Sequence, residues 1–490
     1  MILAQNHPQR LNGNKFSRFF LYFLLVFIPA IVLLSSCGAG KTKTPASEII
    51  TPEGKKVYNP KTGKYEFPTE VTGKVDTVKW TDASPAVNDP IKSDSSQYME
   101  EETTPIVDDN PNGTGVFNTY NVSIMLPFNS HKVNTVEGGI HSSSMSALHY
   151  YEGVKMALDE LNSDGANFNV SVMDTKRSES EVENLLKRSS LVNAHMIIGP
   201  YSTKPLTKVV EFAKENKKPL LSPVNTSGSI TSENPYYVQI NPSLQSHCSR
   251  ITAHALERYE ADQIVLVCRN KEAEVNRLKY FQDANKEIAG SAATPKLKEF
   301  IIDATVAEEY GELDLLPLIK AEKTTVFIVP SYSNETFISN FMRQVAISKG
   351  QNKVVIYGMP RWMEYDRISY DYYERLNVHV SSANYVNKDD FKVKEFYRKF
   401  YERYGMLPSE NAFTGYDAMM YFGKQLDKHG MNFVKEIDSE LEEHLSTKFE
   451  FERNISTADA VNENFDNVNY VENKFVNILR FKDYQFQKDN

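Results

Sequence analysis

The chain has 490 residues, 41% of them hydrophobic and 24% charged, an ordinary globular composition with room for more than one core. The formal net charge is −9 and no long basic stripe appears, which argues against nucleic acid as a partner.

At the N-terminus, Arg10, Lys15 and Arg18 precede the apolar run FFLYFLLVFIPAIVLL, which Leu34-Ser35-Ser36-Cys37 closes. A positive flank, an apolar stretch of this length and small residues at its end predict a secretory signal over residues 1–37. A membrane-spanning helix would need about 20 apolar residues, and Pro29 interrupts this run. The tetrad Leu-Ser-Ser-Cys resembles the lipobox of bacterial lipoproteins, which implies that Cys37 is acylated and holds the protein to a membrane. Gly38 and Ala39 lack the acidic residues that, by the same resemblance, mark retention or surface export. An outer-membrane, periplasm-facing position is therefore expected. The following GAGKT ends like a phosphate-binding loop, but Ser35 stands where that pattern requires its first glycine.

Residues 38–116 are rich in Pro, Thr, Ser, Asp and Lys and read as a flexible tether, with a weak hairpin expected in KVYNPKTGKYEFP. A folded body is expected over 117–490. It opens with a strand, NVSIMLPF, and a helix whose Ala147, Tyr151, Val154, Leu158 and Leu161 recur at three-four spacing. Strand NVSVMDT, helix SEVENLLKRSSLV, strand AHMIIGP, helix LTKVVEFAKEN and strand KPLLSPV follow. After Pro242 come helix SLQSHCSRITAHALERY, strand QIVLVC and helices EVNRLKYFQDANKEIA and YGELDLLPLIK. Strand TTVFIVP, helix NETFISNFMRQVAIS, strands KVVIYGM and NVHVSSANY, and helices DDFKVKEFYRKFYERYG and NAFTGYDAMMYFGKQLDKHG complete the alternation. Short, continuous, β-branched strands signify parallel sheets covered on both faces. The number of units predicts an α/β body of two doubly wound lobes.

In open parallel sheets, ligands bind beyond the carboxyl ends of the strands, where helix N-termini offer free N–H groups. Tyr201, Ser202 and Thr203 follow MIIG at the mouth of a helix, and Asn225 and Thr226 follow PLLSPV. Hydroxyls beside bare N–H groups suit a carboxylate, although Ser and Thr are also ordinary helix caps. Two adjacent strands ending this way leave both readings open.

IIGPYST and PLLSPVNTSGSIT, with YYEGVKMALDELNSDG and MDTKRSESEVENLL before them, resemble the first lobe of type I periplasmic solute-binding proteins of the leucine/isoleucine/valine class, over about residues 118–430. The resemblance implies two lobes joined by three crossovers and closing on a ligand. Lobe one would cover about 117–242 and 384–445, and lobe two about 243–383 and the returning tail 446–490. By position, Thr203 and Thr226 match residues that hold an amino acid's carboxylate, and Tyr332 matches an aromatic of the second lobe. Two departures stand out. CRNKEAEVNR lacks the family's Tyr-Gly-x-Gly, and YGMPRWMEY offers Arg361 where an acid pairs the ligand's ammonium. A guanidinium there would repel an ammonium, which points to an anionic solute, a weak cleft or a protein-facing surface.

No zinc, nucleophile-elbow or Cys-x-x-Cys pattern appears, so neither an enzyme, a metal nor a cofactor is expected. Cys248 and Cys268 would lie on one side of a β/α layer, either bridged or, more simply, as two free thiols. Two functions remain. One is a lipid-anchored protein that binds a carboxylate-bearing solute for an ABC permease or sensor. The other is an interaction protein similar to the outer-membrane lipoprotein activators of penicillin-binding proteins, with a cell-wall synthase as partner.

Overall fold

The computed structural model describes residues 57–59, 64–66, 115–132, 140–291, 293–303, 313–437, 442–455 and 465–489. The expected signal, Cys37 and most of the tether lie outside these residues. The chain divides into two units, Met1–Tyr98 and Met99–Asn490. In the first, Val57–Asn59 pairs antiparallel with Lys64–Glu66, with Tyr58 opposite Tyr65, which is the hairpin expected from the turn residues at Asn59-Pro60.

The second unit holds two mixed, largely parallel seven-stranded sheets. In chain order its main elements begin with β1 (Tyr120–Leu126), α1 (Met145–Ser163), β2 (Phe168–Asp174), α2 (Glu179–Leu185), β3 (Met196–Ile198), α3 (Thr203–Glu215), β4 (Leu220–Ser222) and β5 (Tyr237–Gln239). Then come α4 (Leu244–Leu256), β6 (Ile264–Arg269), α5 (Glu272–Ala289), β7 (Lys298–Ile302), β8 (Thr325–Ile328), α6 (Glu335–Ser348), β9 (Val354–Gly358), α7 (Tyr370–Arg375) and β10 (Val378–Ser382). Helices α8 (Phe391–Tyr404) and α9 (Glu410–His429) precede β11 (Phe451–Ile455), β12 (Val468–Asn473), β13 (Asn477–Lys482) and β14 (Gln485–Lys488). The first sheet runs β11-β12-β5-β4-β3-β1-β2 and the second β14-β13-β10-β9-β8-β6-β7. Central strands β6, β8, β9 and β10 are buried along their whole length. That burial on both faces explains their unbroken apolar sequences.

The chain passes between the sheets after β5, β10 and β12. Helices α8 and α9 return to the first lobe, where Phe396, Phe400 and Phe413 pack with Met156 of α1. The tail corrects the expectation that residues 446–490 pack on the second lobe. Its first part completes the first sheet, with Val471 of β12 beside Val238 of β5, and only β13 and β14 join the second. Phe449 and Phe451, Val468 and Val471 supply apolar surface that the first lobe's core needs, alongside Tyr421 and Phe422. Two helices also differ from expectation. SEVENLLKRSSLV breaks at Arg188, whose backbone is extended before a second short helix, Ser189–Val192. Of YGELDLLPLIK, the described residues form only a 3-10 turn, Leu316–Leu318, where Pro317 cannot continue a ladder. Among the described residues, no helix is long and apolar enough to cross a membrane.

Candidate functional site

In the first lobe, β3 ends at Ile198 and Gly199 follows with φ +97°, its would-be Cβ 2.1 Å from the Met125 carbonyl oxygen. Only glycine lets the chain pass β1 that closely. Ser202 then takes the N-cap position of α3 with extended backbone and no capping bond from its side chain, and its carbonyl accepts the Leu206 N–H at 3.0 Å. The first-turn N–H groups ahead of that bond have no partner within the helix, and Pro205 has none to offer. Thr203 is exposed and Ser202 half-buried. Tyr201 turns inward instead, edge-on to Tyr150 with ring centroids 5.6 Å apart. Neither hydroxyl has a partner among the described residues, and burial pushes both phenols up.

Parallel pairing of Ile197 with Leu220 and Ile198 with Leu221 sets the loop after β4 beside this one. Thr226 is exposed there. Asn225 is not available in the same way, because its amide donates to Tyr237 Oη and the Ser227 carbonyl, each at 2.9 Å. It braces the loop.

The second lobe's strand ends are more heavily wired. Arg269, the last residue of β6, pairs with Glu274 in the first turn of α5. Glu274 also accepts the Arg269 N–H at 3.1 Å and the Ser331 hydroxyl at 3.0 Å. Trp362 is fully buried, donates from Nε1 to the Ser331 carbonyl at 2.8 Å and lies against Gly358. Tyr332, 36% exposed, lies over the Arg277 guanidinium at 4.5 Å and its carbonyl accepts the Tyr365 hydroxyl. Arg361 is exposed and pairs along its own turn with Glu364 at 3.5 Å. The five first-lobe candidates thus share two adjacent loops. Tyr332 lies with the buried arginines, and Arg361 stands at the rim. Arg269, Glu274 and Arg277 went unnoticed in the sequence, although Glu274 and Arg277 continue the buried stripe of Leu278, Phe281 and Asn285. Charges on a buried stripe were the available signal.

The crossovers are tied to one another. Ser243, the N-cap of α4, gives its N–H to Glu472 of β12 at 2.8 Å, and Tyr385 gives its N–H to the Ser446 carbonyl at 2.6 Å. A cavity of about 30 Å³ lies among them, lined by Tyr150, Asn241, Asn384, Thr414, Thr447 and Asn473. That is far below the few hundred Å³ typical of a small-molecule site. A larger open groove of about 1110 Å³ on α1, α8 and α9 has charged walls and shares no lining residue with the strand-end loops. Among the described residues, no group of acids, histidines or cysteines could hold a metal.

Residues 149–458 match the profile of the receptor family ligand-binding region. The chain belongs to this family. Its fold is that of type I periplasmic binding proteins. A Rhodospirillum rubrum protein described as a branched-chain amino-acid ABC transporter superposes with TM-score 0.54 at 13% identity, over 76% of this chain and all 100% of that one. A branched-chain amino-acid ABC transporter periplasmic ligand-binding protein of Burkholderia xenovorans gives TM-score 0.52 at 10% identity, over 76% and 94% of the two chains. An ABC transporter substrate-binding protein of Desulfitobacterium hafniense gives 0.50 at 13% identity, over 76% and 100%. No curated protein matches in sequence. In this member of the receptor-family ligand-binding region, the mouth of the second lobe carries an Arg269–Glu274 pair at the end of β6.

Proposed function

We propose that this chain is a lipid-anchored, periplasm-facing, non-enzymatic protein that binds a small carboxylate-bearing solute between its lobes and serves an ABC permease. One observation carries the reading. Ser202, Thr203 and Thr226 stand on two neighbouring strand-end loops, with the Ser202 hydroxyl free of capping duty and the first N–H groups of α3 beside it. This is a hydrogen-bonding surface for an anion rather than a set of satisfied caps. Membership of the family and the folds of the two branched-chain amino-acid transport proteins are consistent with it.

A thermal-shift screen of amino acids, mono- and dicarboxylates and small peptides tests it. A solute at one hundred times its Kd stabilises the fold by about 2.7 kcal/mol. The double variant Thr203→Ala, Thr226→Ala should erase the shift and leave the unliganded melt nearly unchanged. The anchor is tested separately, since Cys37→Ala should abolish fatty-acid labelling. The small hinge cavity favours a second reading, an interaction lipoprotein on the same fold. Silence across the library, with a cell-wall synthase recovered by cross-linking in intact cells, would establish that reading instead.

A further inference from the structure

The second lobe's mouth holds two buried guanidinium groups and one carboxylate. Arg269 and Arg277 are 5% and 7% exposed, and Glu274 is 5% exposed. Glu274 is fully used. Its Oε2 accepts the Arg269 N–H, and its Oε1 accepts Arg269 Nε at 2.9 Å and the Ser331 hydroxyl at 3.0 Å. Arg277 is left with one neutral acceptor, the Pro330 carbonyl, which its Nη1 meets at 2.5 Å. Its Nε is buried without a partner among the described residues. Tyr332 covers the group at 4.5 Å and is itself 36% exposed.

A buried charge without a counter-charge is expensive, by several kcal/mol per ion before compensation. A carbonyl and a ring face offset part of that, and neither neutralises it. The position is also particular. Pro330 and Tyr332 lie just past the carboxyl end of β8, the end of an open parallel sheet where ligands bind. With Nη1 engaged, the Nε edge of the guanidinium remains, and a planar carboxylate fits that edge with two parallel bonds.

We propose that Arg277, lidded by Tyr332, is an anion subsite of the second lobe, and that the solute carries a second carboxylate. The inference rests on the solute-binding reading and narrows it to short dicarboxylates. The strand-end hydroxyls of the first lobe take one carboxylate and Arg277 takes the other. Arg361, on the rim and paired with Glu364, has no part in it.

Isothermal titration of matched acids decides the matter: propionate against succinate, and butyrate against glutarate. The dicarboxylate of at least one pair should bind about 10- to 100-fold more tightly than its partner, the range of one charge-assisted pair of bonds. Arg277→Lys keeps a buried cation but loses the planar edge. It should collapse that ratio towards unity while monocarboxylate affinity stays within about threefold. Should Arg277→Lys fold poorly, Tyr332→Ala removes only the half-exposed lid. It should lower the same ratio with an unchanged melt. Monocarboxylates and dicarboxylates binding equally well to the unmodified protein would overturn the Arg277 subsite and leave the solute-binding reading standing. Binding of neither class, across both pairs, would overturn the two together.

Discussion

Glu472 at the end of β12 accepts the backbone N–H of Ser243 at 2.8 Å, so the third crossover grips the helix N-terminus that follows the first. The Ser246 hydroxyl shares the same oxygen at 2.8 Å, and Lys474 Nζ holds the other at 2.7 Å. A carboxylate at the N-terminus of α4 is where the helix dipole favours negative charge. The pair joins the two lobes through residues 229 apart in the chain.

Replacing Glu472 by Gln should therefore destabilise the fold by about 1–3 kcal/mol, since Lys474 loses its counter-charge and one donor near Ser243 loses an ionised acceptor. Burial alone would push the Glu472 carboxyl up, yet Lys474 and the Ser243 bonds outweigh it and hold it below the usual 4.5. Its stabilisation is present above 4.5 and lost as pH falls through the lower folded value. Urea melts of the variant and parent should converge in strong acid. Equal gaps at pH 7 and pH 3 would contradict this.

Asp417 on α9 works in the opposite sense. It is fully buried and accepts the Leu445 and Ser446 N–H groups at 3.0 and 2.8 Å and the Ser446 hydroxyl at 2.5 Å. Burial pushes its carboxyl up to about 7, against the pull of those donors. With the folded value above the unfolded 3.8, its contribution is full below 3.8 and is lost as pH rises through about 7. Asp417→Asn should remove that slope between pH 4 and 7 in urea melts. An unchanged slope would refute the assignment.

Three histidines are pushed down furthest by burial. Burial pushes His247, His254 and His444 down to about 4, helped by Arg258 at His254 and by Lys424 and Lys392 at His444, and opposed by Glu472 at His247. Folded values below the unfolded 6.5 mean that stability is present above 6.5 and is lost as pH falls towards 4. Each group is worth up to about 3 kcal/mol over that window. Three such losses exceed the one gain at Asp417, so denaturant midpoints should fall steeply from pH 6.5 to 4. His444→Gln should remove roughly a third of the histidine part.

Much of the fold was legible because its strands bury both faces and so read as continuous apolar runs. The tail was not. VNYVEN mixes polar and apolar residues without a strand period, and Glu472 and Asn473 are buried for hinge bonding rather than exposed as their polarity implies. That Tyr201 to Thr203 and Thr226 stand just past β3 and β4 was legible, because hydroxyls follow each apolar strand directly. Nothing in the sequence reveals that the Asn225 amide turns back to Tyr237. Arg277 went unnoticed for a similar reason. Position after a strand is visible in sequence, while burial of a charge within a helix depends on the packing of β8 and α5.

The two cysteines of the folded body are free and fully buried. Burial pushes the Cys268 thiol up to about 12 and Cys248 higher still. Since the thiolate is the reactive form, both should resist a thiol reagent for hours in the native Cys37→Ala protein and react together on unfolding. Fast labelling of either in native buffer would show that the second lobe opens locally.

Trp362 offers the sharpest packing test. Its indole fills the space over Gly358, where an added Cβ would lie 2.3 Å from ring atom Cε3. Its Nε1 bonds the Ser331 carbonyl and its own carbonyl accepts the Tyr373 hydroxyl at 2.8 Å. Gly358→Ala must displace the ring or bend β9, at a cost of about 1–3 kcal/mol. Trp362→Ala leaves a large cavity and a Ser331 carbonyl without its indole donor, at about 3–5 kcal/mol. Because Trp80 and Trp362 are the only tryptophans, a Trp80→Phe background makes Trp362 the sole emitter. Its emission should be blue-shifted in the native state and move red in Gly358→Ala, where the ring is forced from its slot. An unshifted spectrum with an unchanged melt would mean that β9 accommodates the methyl group and that the indole does not define the mouth of the second lobe.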